Sequence, residues 1–572
     1  MFSWALTSAL VGTAYAAHGE SYLNSSVGYQ NGSLGGSPYQ TFVSSPSKPV
    51  QFNVQQFPNT PPAAGYIFIA PRGTSVEAPG AYIFSGDGEL IWDGSEFGQA
   101  MSFTPKMYKG EPVIAMWQGE FNGNGYGMGH GLLINQSYQV VANISAQVEN
   151  ALMDFHEFTL TENGTALFTA YPVQSYDLSS YETGLQDPTN GFIMQGVAQE
   201  IDIESGNVIF TWHSLDHVDP HSCFTTPADT GGSSDNPWDY FHINSIEKDS
   251  KGNYLISSRH CSALYYVSGA DGSIIWTLGG QNSSFTMGEN TTFWYQHDAR
   301  WRDNETTISL FDNAATGWDA REDTARGLLL NIDFDNKTVE VNTEFLPFNR
   351  TPSPSQGSTE LQPNGNWLCG WGQIPYFSEY SPTGELLWAV QFGVGDVQGY
   401  RAHRANWTGQ PTTQPSLALQ NGNSTEEHTL YMSWNGATEV KTWEVLGAND
   451  TSAQPESLWN VTHDGFESEF SLLNPGLNLF MVRARHDNGT VLGQSNYISR
   501  NGSDVGAGPS PSAQGATNVD NVASGSQEPS GQTSSAAAAG ATTSGKDGSN
   551  AAPALSGSLV ALLFGISVAA LA

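Results

Sequence analysis

Four segments of this chain share one pattern, a tight turn followed by an apolar strand that ends in tryptophan. They are GDGELIW (86–92), ESGNVIFTW (204–212), ADGSIIW (270–276) and PTGELLW (382–388). Glycine tolerates positive φ, so Asp-Gly and similar pairs close hairpins at little steric cost. Two weaker turns fall between them, in LLINQSYQVV (132–141) and LNIDFDNKTVEVN (330–342). The turns centre on residues 88, 136, 206, 272, 336 and 384. A period of this length, filled with short strands, points to a β-propeller more than to a sandwich, and six turns predict six blades. The stretch GNYLISSRHCSALYYVSGADGSIIW (252–276) reads as strands two to four of one four-stranded blade. The spacing exceeds the usual figure of about 40–50 residues per blade. Long loops take up the excess, visibly at 172–196 and 216–238.

Composition agrees with a turn-rich all-β chain: 12% aromatic, 13% charged and 62 glycines in 572 residues. A formal net charge of −36 argues against nucleic acid, because neutralising phosphates needs a basic surface. Residues 411–500 leave the propeller pattern. TLYMSWNGATEVKTWEVLGA (429–448) and NLFMVRARHDNGTVLGQSNYI (478–498) alternate like strands of a small fibronectin-III/Ig-like β-sandwich. The expected order is an N-terminal segment at 17–37, a propeller at 38–410, this sandwich, and a Ser/Gly/Ala/Thr-rich stalk at 501–550. The stalk has too few apolar residues to offset the entropy of ordering it.

Both ends resemble addresses. MFSWALTSALVGTAYA (1–16) is a short apolar run with a small-x-small end, read as a secretory signal peptide. The apolar tail LVALLFGISVAALA (559–572) is short for a bilayer span and has no basic residues after it. With the small residues at 550–552 it resembles a GPI-attachment signal at 551–572, with Asn550 as the attachment site. A C-terminal transmembrane anchor is the alternative. Sixteen Asn-x-Ser/Thr sequons suit a secreted, glycosylated protein held at the outer leaflet of the plasma membrane through a lipid anchor. Three cysteines allow at most one internal bridge, for which Cys223–Cys261 is the expected pair; Cys369 lies in an apolar strand and reads as a small buried hydrophobe.

The candidate site emerges when the blades are set in register by their first strands. DFHEFTLTENGT (154–165), YFHINSIEKDSKGN (240–253) and YQHDARWRDNET (295–306) each carry a histidine near the strand start. First strands line a propeller channel, so His156, His242 and His297 should converge. Arg259, which ends strand two of the fourth blade, can reach the same place. Asn244, two residues after His242, should share its face because the strand period is two. Singly, each histidine reads better as a hydrogen-bonded structural residue; three at one register reverse that. Three imidazoles could hold a divalent metal, but Arg259 would repel it, and Asp298 and Glu157 should point to the other face. Several imidazoles with a guanidinium suit an oxyanion better, and one imidazole can attack and carry a group.

The segments DFHEF, YFHINSI, SSRH and YQHDARW, in this order over residues 38–410, resemble the arylsulfotransferase family, the PAPS-independent aryl-sulfate sulfotransferases. The chain looks like a secreted, GPI-anchored eukaryotic member. The resemblance implies transfer of a sulfuryl group from a small-molecule aryl sulfate to a phenol, without cofactor or metal. It implies His297 as nucleophile, with His242, Asn244 and Arg259 on the sulfuryl oxygens. His156 would hold the phenolic oxygen or shuttle its proton. Bacterial members carry an extra β-domain before the propeller; here it follows. Two other functions stand as alternatives: a non-catalytic surface propeller that binds a glycan or protein, since the fold does not fix function, and a metal-dependent sulfate or phosphate ester hydrolase. No GxSxG elbow, GxxxxGK[ST] loop or HExxH motif points elsewhere.

Overall fold

The computed structural model describes residues 21–509, other than 57–61, 124, 423–426 and 474–475. Residues 1–16, Asn550, the 551–572 tail and all but the start of the 501–550 stalk lie outside the described residues. No helix among the described residues is long and apolar enough to cross a membrane.

The described chain is all-β. Its strands run as six successive four-stranded antiparallel arrays. The first array contains Tyr66–Ile69, Ala81–Phe84 and Leu90–Gly94, and its remaining strand is His403–Ala405, drawn from far along the chain. The second array is Ala100–Tyr108, Glu111–Phe121, Gly127–Asn135 and Val140–Ile144. The third is Met153–Leu160, Thr165–Ala170, Val197–Asp202 and Val208–His213, joined to the second through the pair Met153–Gly129. The fourth is Ile243–Lys248, Tyr254–Ser258, Ala263–Val267 and Ile274–Gly279. The fifth is His297–Arg302, Thr307–Asp312, Arg326–Asp333 and Thr338–Phe345. The sixth is Ser358–Leu361, Trp367–Gly370, Tyr376–Tyr380 and Leu386–Gln391, extended at its outer edge by Phe52–Gln56. Each of the six turns read from the sequence joins the third and fourth strands of one array. Gly272 and Gly384 occupy those turns at φ of 76° and 83°, where a side chain would be strained.

The recurring tryptophan has a packing reason. Trp92, Trp212, Trp276 and Trp388 are all buried, and most reach the next array. Trp92 stacks on Tyr138 of the second array, with ring centroids 4.8 Å apart. The Trp212 indole N–H donates to the Gly272 carbonyl of the fourth array at 3.1 Å. Trp276 meets Trp301 of the fifth array edge-on. The Trp388 ring lies under the Arg404 guanidinium, beside the strand that completes the first array. In four of the six arrays a tryptophan on the outer strand thus packs toward its neighbour, and its apolar area contributes to the contact.

The two long loops are not structureless. Val173–Tyr176 pairs with Gly191–Met194, which in turn runs parallel to Trp238–Asp239. The second excursion is tied down by a disulfide between Cys223 and Cys261. Cys369 is free and buried. Beyond the arrays, Ser416–Asn421, Glu427–Ser433 and Glu467–Leu473 form one sheet. Glu456–Thr462, Thr442–Ala448, Leu479–Arg485, Asn496–Ser499 and Asp504–Ala507 form a second. Leu430, Met432 and Phe470 from the first meet Trp443, Val445, Phe480 and Val482 from the second in one core. The strand Asp504–Ala507 falls inside the segment that composition assigns to the stalk; it pairs back on Asn496–Ser499, a contact that composition alone does not reveal.

Candidate active site

A cavity of about 780 Å³ is lined by His156, His242, Arg259 and His297. Four of the five residues singled out in the sequence therefore meet. Asn244 does not. It is fully buried, is not among the lining residues, and its amide nitrogen donates to the Gln296 carbonyl at 2.6 Å. The reason lies in the backbone. His242 has a φ of 51°, and the ladder shifts register between Ile243 and Ser245. The two-residue alternation that would put His242 and Asn244 on one face is broken there. Similar irregularities follow Asp154 and His297 in their strands. Bulges of this kind re-aim side chains at functional sites.

His297 begins its strand and is 1% exposed. Its Nδ1 lies 2.7 Å from the Asn313 side-chain oxygen, while the Asn313 amide nitrogen donates to the Ser353 and Gln356 carbonyls. Asn313 can then only accept from the ring, so Nδ1 carries the proton. Nε2 carries no proton, and its lone pair accepts one long hydrogen bond, from the Gln356 backbone N–H at 3.3 Å. Burial, then the nearby Arg259 charge, holds His297 well below the usual histidine range, so the ring is neutral.

His156 and His242 face each other, Nε2 to Nε2, at 3.0 Å. Each is anchored at its other nitrogen by a carboxylate: Asp154 for His156 at 2.6 Å, and Asp239 for His242. With both Nδ1 atoms donating, the Nε2 contact is a hydrogen bond only when the pair shares one extra proton. His242 is held well below the usual range by burial, His156 and Arg259.

Arg259 is 5% exposed. One terminal nitrogen donates to His260 Nε2 at 2.8 Å and the other to the Pro354 carbonyl at 2.7 Å. Its Nε has no partner, and no carboxylate among the described residues pairs with it. It packs against the Tyr295 and Trp318 rings. Burial pulls its pKa down to about 10, so it keeps its charge at neutral pH. Phe121, Tyr126, Phe155 and Trp238 add an aromatic wall to the cavity. Glu157 and Asp298 face away, as the sequence leads one to expect, although both lie within the irregular stretches of their strands. They pair with Arg300 and Arg401 and line a separate polar cavity.

Asp239, His242 and His260 offer ligand atoms within 4.8 Å of one another. Their arrangement does not suit a cation. The His242 Nδ1–H is committed to Asp239, and the His260 Nδ1–H donates to the Asp239 carbonyl at 2.7 Å. A metal would have to displace both protons beside an unpaired guanidinium.

Sequence reasoning missed Asp154, Asp239, His260, Asn313 and Gln356. A partial signal was present: an aspartate stands two residues before His156 and three before His242. His260 directly follows Arg259, and nothing in its spacing shows that it orients the guanidinium.

The buried histidines set an expected pH dependence of stability. Burial lowers His260 to about 3, and His242 and His297 also lie well below the usual 6.5. Below pH 6.5 the unfolded chain binds protons that the folded one refuses, so stability falls with acidity in that window and is regained as pH rises to 6.5. Each group contributes at most about 1.4 kcal/mol per pH unit. Thermal melts at pH 7 and 5 should show a lower Tm at pH 5, with a smaller drop in His260→Asn. The same drop in that variant contradicts the assignment.

The cavity brings three imidazoles and a guanidinium together beside a wall of aromatic rings, groups whose chemistry suits hydrogen bonding to an oxyanion. The family model described as Arylsulfotransferase (ASST) matches residues 104–393, and the chain belongs to that family. Membership implies a sulfotransferase, with aryl sulfates and phenols as small-molecule substrates and no use of PAPS. No curated protein matches the chain. Among solved structures, it is similar to a protein of unknown function from Bacteroides caccae: 12% identity, 59% of this chain and 98% of that one covered, TM-score 0.34. It is also similar to a catalytically inactive virginiamycin B lyase from Staphylococcus aureus: 10% identity, 74% and 99% covered, TM-score 0.26. A third is Sqt1 from Saccharomyces cerevisiae: 10% identity, 68% and 83% covered, TM-score 0.29. Likenesses this weak carry no argument about the site.

Proposed function

We propose that this chain moves a sulfuryl group from an aryl sulfate to a phenol through a sulfohistidine on His297. The observation that carries the proposal is Arg259, a buried guanidinium in the cavity wall that makes no direct ion pair among the described residues, the nearby Asp239 charge acting on it only at a distance. An unpaired buried charge is costly, and an anionic substrate group would compensate it. In the first half-reaction His297 Nε2 attacks sulfur, the S–N bond forms and the S–O(aryl) bond breaks. The leaving oxygen takes the proton shared by His156 and His242, since phenols have a pKa of about 10. In the second, a phenol returns its proton to that pair as its oxygen attacks sulfur and the S–N bond breaks. Arg259 stabilises the charge that spreads over the sulfuryl oxygens, much as in phosphoryl transfer. Asn244 acts behind the site: its backbone carbonyl accepts from Arg401, and its amide holds the Gln296 carbonyl next to His297.

The six arrays are the blades of one propeller at 38–410. The pairing of Tyr66–Ile69 with His403–Ala405 supports a closed ring, because it joins the two ends of the series. Residues 411–500 form a fibronectin-III-like sandwich after it. The apolar ends and the sequons support a secreted, lipid-anchored cell-surface location.

The assay is incubation of residues 17–509 with 4-nitrophenyl sulfate, with and without phenol. Steady nitrophenol release that requires phenol, forms phenyl sulfate and ignores EDTA is expected. Acceptor-independent release blocked by EDTA would instead indicate a metal hydrolase, and no turnover on a panel of aryl sulfates would indicate a binding propeller.

A further inference from the structure

The same cavity holds a second guanidinium. Arg72 sits on the short strand Pro71–Arg72, which pairs with Gln398–Gly399. It lines the cavity. One of its terminal nitrogens donates to the side-chain oxygen of Gln398 at 2.6 Å. Its Nε is buried with no partner, and among the described residues no carboxylate pairs with it. Its charged plane lies over the Phe121 ring, 4.6 Å from the centroid. Burial pulls its pKa down to about 10, so it is charged at neutral pH. The chain has 56 acidic residues against 20 basic ones. Leaving a half-buried arginine, its Nε buried, with only a neutral amide therefore departs from the general pairing of buried charge.

Arg72 is also linked to the nucleophile. Gln398 Oε1 accepts from Arg72 and, at 2.7 Å, from the Gln356 side-chain amide. The Gln356 backbone N–H reaches His297 Nε2. The guanidinium thus stands two glutamines away from the reacting nitrogen, on the wall that carries Phe121. The family match covers residues 104–393 and does not reach Arg72.

We infer that Arg72 and Phe121 form a second anionic subsite, which selects aryl substrates that carry a carboxylate on the ring or its side chain. Phe121, with its faces covered by Arg72 and Phe155, meets the aromatic body with its ring edge, and the Arg72 terminal nitrogen not held by Gln398 takes the carboxylate, while Arg259 and the histidines take the sulfuryl group. The inference rests on the sulfuryl-transfer reading.

Two measurements separate the ideas. Binding of benzenesulfonate and 4-sulfobenzoate, neither of which can transfer a sulfuryl group, is followed by quenching of cavity tryptophan fluorescence. The added carboxylate should tighten binding about 10–100-fold in the wild type, the range of a charge-assisted hydrogen bond. That gain should vanish in Arg72→Gln and be partly restored in Arg72→Lys, with melts showing that both variants are folded. In turnover, kcat/KM for 4-hydroxybenzoate relative to its methyl ester should fall by a similar factor in Arg72→Gln. Equal binding of the two sulfonates by the wild type, with benzenesulfonate still bound, overturns the subsite and leaves the sulfuryl reading standing. No binding of either, with no phenol sulfated, overturns both.

Discussion

His297→Asn is expected to lower sulfuryl transfer from 4-nitrophenyl sulfate to phenol by about 10,000-fold or more, the scale on which covalent enzymes lose rate when the nucleophile is removed. The size of the effect follows from how the ring is held. Asn313 accepts from Nδ1 and fixes the tautomer, because its own amide nitrogen is taken by two carbonyls. Burial and Arg259 keep the ring neutral. The lone pair on Nε2 is therefore available below as well as at neutral pH, and no other atom at that position can replace it. Asparagine keeps a polar group near Asn313 and should keep the fold, which a thermal melt checks. Activity of the folded variant within about tenfold of wild type would remove His297 from the role of nucleophile.

Arg259→Met is expected to lower kcat by about 100–1000-fold, as for loss of one strong donor to a charge that develops in the transition state. The same substitution should raise Tm. In the free protein Arg259 is a buried charge with an unpartnered Nε and, among the described residues, no carboxylate within ion-pair distance, so a methionine of similar volume relieves an electrostatic cost. A gain in stability with a loss of activity is what distinguishes a residue kept for substrate from one kept for structure. Arg259→Lys should recover little, because one ammonium nitrogen cannot reproduce the planar spacing by which two terminal nitrogens meet His260 and Pro354. If Arg259→Met lowers Tm and leaves kcat unchanged, the guanidinium is structural.

The repeat was legible because it is local. A glycine turn followed by an apolar strand ending in tryptophan needs only neighbouring residues to be recognised, and all six turns fall between third and fourth strands. The convergence of His156, His242 and His297 was legible for the same reason, since they hold equivalent positions in the repeat, and Arg259 was placed with them from the end of the neighbouring strand. Asn244 marks where such reasoning fails. Its placement assumed an even pleat, and the positive φ at His242 with the adjoining register shift turns it into the wall. The supporting residues were hidden in another way. Asn313 lies 16 positions from His297 and Gln356 lies 59 away, on a different array, so only the tertiary fold brings them together. The carboxylates are intermediate. Asp154 and Asp239 are close in sequence to the histidines they orient, but without the backbone path there was no reason to choose them over Glu157 or Asp298, which serve the opposite side.

The sulfohistidine is tested most directly by mixing the protein with 4-nitrophenyl sulfate in the absence of any acceptor. A burst of about one nitrophenol per protein, followed by near arrest, is predicted, as for a covalent intermediate awaiting its acceptor. Intact mass after alkaline quench should show one added sulfuryl group, and peptide mapping should place it on the segment that contains His297. Phenol should then discharge it as phenyl sulfate. No burst in a protein that still sulfates phenol, or an adduct on a peptide without His297, would contradict the account.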